Sequence, residues 1–115
     1  MKINLITGKE KTNYRSLLEK ESADFFKNLP LNPQATLTFH FISQNQMSAL
    51  NKKYRGIDKP TSVLSFPIWE NTTSIPKKGI VNLGDIFICL KIIKDEKELK
   101  KIIRHALNHL IGKHH

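Results

Sequence analysis

A chain of 115 residues, 39% apolar and 25% charged, has the size and balance of one folded domain with a modest core, which excludes a disordered tail and a fibre. Nineteen basic against ten acidic residues leave a net charge of +9, a footprint suited to polyanions that does not choose between nucleic acid, ribosome and anionic membrane. No apolar run nears the ~18–20 residues of a bilayer span, the start MKINLITGKEKTNYR is too polar for a secretory leader, and lone Cys89 excludes an internal disulfide, so a cytoplasmic location without a membrane partner is expected.

Lys2–Thr7 alternates Ile3 and Leu5 with polar residues, a strand pattern ended by Gly8. From about Thr12 to Leu29, Leu17, Leu18, Phe25 and Phe26 recur at helical spacing. Thr12 or Asn13 can cap that helix, and Leu29-Pro30 and Asn32-Pro33 end it. Ala35–Ile42 sets Leu37, Phe39 and Phe41 against Thr36, Thr38 and His40, a half-buried strand in which His40 reads as an ordinary residue of the other face. Ser43-Gln-Asn-Gln46 has the capping-box spacing and opens a short helix carrying Met47, Leu50 and Tyr54. Arg55–Pro60 follows as a loop, and Val63–Phe66 as a short strand stopped by Pro67.

Glu70–Lys78 is rich in Asn, Thr, Ser and Pro and reads as a mobile surface loop. Leu83–Leu90 reads as a largely buried strand whose one charge, Asp85, needs a partner, either a turn or a ligand histidine. Leu99, Ile102, Ile103, Ala106, Leu107 and Leu110 form the apolar stripe of a last helix from about Lys94 to Ile111. The order β-α-β-α-β-β-α predicts one α+β domain over residues 1–115, with a small mixed sheet of about four strands packed with helices.

The end of that helix carries the chemistry. His105 and His109 are four apart, so both rings leave one side of the helix, beside the apolar stripe. Gly112 stands where a left-handed residue ends a helix, and the turn it makes can return His115 to the first two rings. The spacing H-x-x-x-H-x-x-G-x-x-H is the ligand spacing of the metzincin proteases, and three imidazoles with an open fourth position form a catalytic type of zinc site. Those proteases place a glutamate base directly after the first histidine; here that position is Ala106, which argues against peptide hydrolysis. His115 is the expected third ligand, with neighbouring His114 as its support or alternate. Two histidines four apart also occur by chance, and a terminal His-His can be a purification remnant; the added glycine and third histidine favour the metal.

Three segments carry a resemblance to the YbeY family of bacterial metal-dependent endoribonucleases of ribosomal RNA maturation. Tyr54–Pro67 (YRGIDKPTSVLSFP) resembles the family's Arg-Gly…Asp…Pro-Thr…Val-Leu-Ser-Phe-Pro block; Leu83-Gly84-Asp85-Ile86 is similar to its LGDI; and His105–His115 matches its H-G-x-L-H-L-x-G-Y-D-H. The chain departs from the pattern at Ser62 (usually Asp), Ala106 (Gly), Asn108 (Leu) and Lys113-His114 (Tyr-Asp), and the family generally continues beyond the third histidine. The resemblance implies one zinc per chain on His105, His109 and His115, with His114 and Asp85 as candidates for the surrounding support. It also implies a single-strand-specific cut at the 3′ end of small-subunit ribosomal RNA, and a part in ribosome quality control.

Arg55 is the expected catalytic phosphate contact, because a guanidinium meets phosphate oxygens through a planar fork that lysine cannot copy. A solvated loop charge is its plain alternative. Lys52, Lys53, Arg55 and Lys59 are the candidate RNA-binding surface, and Tyr54 or Trp69 can stack on bases. Asp58 is expected to fix the loop or pair with Arg55, and Ser65 and Asp85 to line the cleft. The partners implied are ribosomal RNA and the small ribosomal subunit. The alternative is a non-catalytic ribosome- or RNA-binding protein with a structural or vestigial zinc site.

Overall fold

The computed structural model describes residues 2–6, 14–27, 29 and 32–112, with the backbone alone for 2–6 and 72. Gly8, the expected caps Thr12 and Asn13, Pro30, the expected third metal ligand His115 and its support or alternate His114 lie outside the described residues.

The elements are β1 (Lys2–Ile6), α1 (Arg15–Phe26), β2 (Ala35–Phe41), α2 (Gln44–Arg55), β3 (Val63–Pro67), β4 (Val81–Ile88) and α3 (Glu96–Leu110). The sheet is mixed and ordered β1-β2-β4-β3: β1 and β4 run parallel to β2, and β3 runs antiparallel to β4. Parallel neighbours need a crossover, and α1 supplies it between β1 and β2.

The side-chain alternation of β2 decides where the main core lies. Ala35, Leu37, Phe39 and Phe41 are buried on one face and meet α1 through Leu18 and Phe26. From α3 come Leu99, Ile103, Ala106, Leu107 and Leu110, the expected stripe with Ile102 turned half outward. A smaller core on the opposite face joins Met47 of α2 to Leu64 and Cys89, with Leu50, Phe66 and Phe87 against it. The result is an α+β domain with α1 and α3 on one side of the sheet and α2 on the other.

Local chemistry sets the helix ends. Ser43 Oγ accepts from the Gln46 N–H (3.2 Å) and Gln46 Oε1 accepts from the Ser43 N–H (2.9 Å), the expected reciprocal box. Asp95 caps α3 by accepting from the Glu98 N–H at 2.8 Å. In contrast, the residue before α1 is Tyr14, which makes no side-chain cap.

The bounds of the last two strands are corrected. The third strand runs through Pro67, which pairs with Gly84; on the sheet's outer edge proline ends the strand without breaking it. The fourth strand begins at Val81 and ends at Ile88, and Leu90 belongs to a short 3-10 turn (Leu90–Ile92). The segment expected to be a mobile surface loop, Glu70–Lys78, does lie at the surface, anchored at a few points. Ile75 is buried in the main core, Asn71 Oδ1 accepts from the Thr73 and Ser74 N–H groups, and buried Asn32 donates to the carbonyls of Pro76 and Gly79.

Candidate active site

Arg55 is the last residue of α2, which ends at Gly56, whose N–H returns to the Lys52 carbonyl at 3.0 Å. Buried Asn51 secures the loop beyond by donating from Nδ2 to the Lys59 carbonyl at 2.8 Å. The side chain of Arg55 therefore leaves a fixed corner. It enters a cleft of about 560 Å³ lined by Arg55, Thr61, Ser62, Val63, Lys101, Ile102, Arg104, His105 and Asn108.

The second wall is α3. Positions 101, 104, 105 and 108 share one face by the i, i+3, i+4, i+7 rule, so Lys101, Arg104, His105 and Asn108 all reach the cleft. Lys101, Arg104 and Asn108 are not among the residues expected from the sequence, although their spacing, three and four apart beside the apolar stripe, is the signal that places them with His105. Arg104 is half committed: its Nε donates to the buried Glu21 carboxylate at 3.0 Å across the α1–α3 contact. No acidic side chain lines the cleft among the described residues, so its field favours anions.

His105 is exposed and His109 half-buried on the same edge of α3, with ring centroids 4.6 Å apart and planes tilted by 54°. Two adjacent imidazoles on one helix face are a fitting pair of nitrogen donors for a zinc ion. Beyond them Gly112 adopts φ +83°, the left-handed turn expected of that glycine. The turn is packed as well as bent: a Cβ there would meet the Glu70 carbonyl and lie 2.8 Å from Asn71 Cα. Among the described residues no cluster of three His, Cys, Asp or Glu side chains is placed to hold a metal ion; the third expected ligand lies beyond them.

The other expected residues are placed as follows. Lys52, Lys53 and Lys59 are exposed around the end of α2 and its loop, outside the cleft lining. Asp58 is exposed, and neither it nor Arg55 makes an ion pair among the described residues. Ser65 and Asp85 do not line the cleft, contrary to expectation. Asp85 has the partner it was expected to need, but that partner is His40, whose Nε2 lies 2.8 Å from Asp85 Oδ1 and whose ring stacks on Phe87. The cause is a bulge: β2 advances from Thr36 to Thr38 while β4 advances from Asn82 to Asp85. The extra residue turns Asp85 away from the main core and onto the α2 side of the sheet.

Cys89 is fully buried, and burial pushes its thiol above its ordinary pKa, partly offset by backbone hydrogen bonds at Lys91 and Ile92. It is a core residue and no nucleophile.

The family model described as endoribonuclease YbeY matches residues 3–115. A curated relative of that name from Leuconostoc mesenteroides is 34% identical over 107 residues, 78% of this chain and 66% of the relative. One from Malacoplasma penetrans is 31% identical over 109 residues, 87% of this chain and 70% of the relative. One from Chromohalobacter salexigens is 40% identical over 76 residues, 65% of this chain and 47% of the relative. The chain thus spans about two thirds or less of the length of two of these relatives. The solution structure of TM1509 from Thermotoga maritima covers 96% of this chain and 72% of its own, with a TM-score of 0.62 at 24% identity, a likeness of fold. By the match along nearly its whole length, the chain belongs to the endoribonuclease YbeY family.

Proposed function

We propose that the protein is a metal-dependent, single-strand-specific endoribonuclease that trims the 3′ end of small-subunit ribosomal RNA in the cytoplasm and serves ribosome quality control. One observation carries the reading: Arg55 and His105, from sequence blocks fifty residues apart, line one cationic cleft.

His105, His109 and His115 would hold one zinc ion. Zinc on three imidazoles supplies a water acidified toward neutrality and a positive charge for a phosphate oxygen. The remaining work falls to the chain. Arg55 grips the non-bridging phosphate oxygens through its fork, and orients the scissile group against the histidine edge of α3. Lys101 and the terminal nitrogens of Arg104 draw the backbone in and offset charge that develops during cleavage. Asn108 and the hydroxyls of Thr61 and Ser62 offer neutral hydrogen bonds to ribose or phosphate.

The absence of a carboxylate from the described cleft favours a second reading, a ribosomal-RNA-binding protein without cleavage, because no side chain there can serve as a carboxylate general base. Elemental analysis and cleavage assays separate the two. The enzyme reading expects about one zinc per chain, lost in His105→Ala. It also expects Arg55→Ala to keep the zinc and lose cleavage by roughly a hundredfold or more, as when a charge-stabilising donor is removed. Bound zinc with no cleavage of any RNA, together with salt-sensitive binding to the small ribosomal subunit, would favour the second reading.

A further inference from the structure

Tyr54 precedes Arg55 at the end of α2 and is 55% exposed, high for an aromatic residue. Its ring stands edge to face on Phe66, with centroids 4.9 Å apart and planes at 67°. Phe66 stands on Phe87 in the same way (5.5 Å, 88°), and Phe87 stacks flat on His40 (4.2 Å, 9°). Tyr54 is thus the open end of an aromatic row fastened across β3, β4 and β2. A ring braced from behind has little rotational freedom left to lose when something stacks on it.

The surroundings select the occupant. From Lys52 to Lys59 the chain is KKYRGIDK, four exposed cationic side chains and one anionic. Lys53 Nζ lies 5.2 Å from the Tyr54 ring centroid, so the electron-rich face already holds a cation. Trp69 is engaged elsewhere: its Nε1 donates to the Asn82 carbonyl at 2.9 Å and its ring packs on the main core.

We propose that Tyr54 is a stacking platform for one unpaired base of single-stranded RNA, adjoining the phosphate held by Arg55. The base takes the place of the Lys53 ammonium over the ring, and Lys53 moves to the neighbouring phosphate. Lys52 and Lys59 follow the backbone on either side. A double strand keeps its bases stacked on one another and offers none to the ring, so the platform itself selects single strands. This inference rests on the RNA-acting reading above and names the residue that selects the substrate class.

The test is fluorescence anisotropy with two labelled probes of equal length, an unstructured oligoadenylate and its abasic phosphodiester backbone. Tyr54→Leu is expected to weaken oligoadenylate binding roughly tenfold, the scale of one base–aromatic stack, with the loss confined to the base-bearing probe. Tyr54→Phe, which keeps the ring, restores affinity to within about twofold. Arg55→Ala weakens both probes, because it contacts phosphate. Equal loss on both probes in Tyr54→Leu, or no loss on either while Arg55→Ala still weakens them, overturns the platform and leaves the RNA-acting reading standing. Failure of the wild-type protein to bind either probe overturns both, and a partner protein would then be the occupant to seek.

Discussion

Gly84 is where β3, β4 and α3 come closest. Its φ of +139° is a backbone region that side chains disfavour, and a Cβ there would meet the Phe66 carbonyl and stand 2.9 Å from Leu110 Cδ1. Its N–H donates to Asn82 Oδ1 at 3.1 Å, which holds the bulge open. The glycine therefore sets both the seating of the histidine-bearing helix on the sheet and the face on which Asp85 emerges. Gly84→Ala is expected to cost about 3 kcal/mol, since the clash is with backbone that cannot step aside. Urea unfolding measures it, and a loss under about 0.5 kcal/mol would show that β3 can shift at Phe66 to accept the methyl.

Among the elements, α3 supplies one wall of the cleft, and Arg55 at the end of α2 together with Thr61–Val63 supplies the other. The Ser43–Gln46 box fixes where α2 starts, and thus which residue stands at its other end beside the cleft. Ser43→Ala is expected to lower stability by about 1 kcal/mol. The substitution lies a whole helix away from Arg55, so amide exchange at Gly56 should stay at the wild-type level; faster exchange there would mean that helix start and cleft are coupled. The segment between β3 and β4 matters for the same reason. Asn32 ties its far end at Pro76 and Gly79, Ile75 anchors it in the core, and Glu70 and Asn71 close over Gly112. This polar surface stretch thus backs the left-handed turn at Gly112 that follows α3.

Across the whole molecule, two cores share one sheet, and Cys89 lies in the smaller of them, with its N–H donating to the Ser62 carbonyl beside the cleft. Its thiol reports on the fold as a unit. Burial raises the thiol pKa in the folded state, so at rising pH the unfolded chain deprotonates first and gains the advantage. The contribution is complete below the thiol's ordinary range and is lost as pH climbs through the higher folded value. Denaturant midpoints should fall on that alkaline side, and less so in Cys89→Ser. Native-state alkylation of Cys89 should be slow and track global unfolding; rapid labelling of the folded protein would mean that the small core opens independently.

Periodicity alone determined most of the elements. The alternation of Leu37, Phe39 and Phe41, the Ser43–Gln46 box and the stripe from Leu99 to Leu110 are local patterns, and local backbone preference with a single buried face is enough to realise them. The spacing of His105 and His109 was local too, since four residues on a helix place two rings side by side whatever surrounds them. Position relative to distant chain was decided only by the tertiary structure. Asp85 reads as a charge inside a buried strand until the bulge at Gly84 shifts the strand's phase and His40 receives it. Ser65 and Asp85 read as cleft residues, whereas the crossing of α3 over the sheet gives the cleft Lys101, Arg104 and Asn108 instead. The sequence determined which faces are apolar, because that depends on neighbours along the chain; which polar groups meet depended on register, bulge and helix packing, because those are settled only when distant segments bury their apolar faces together.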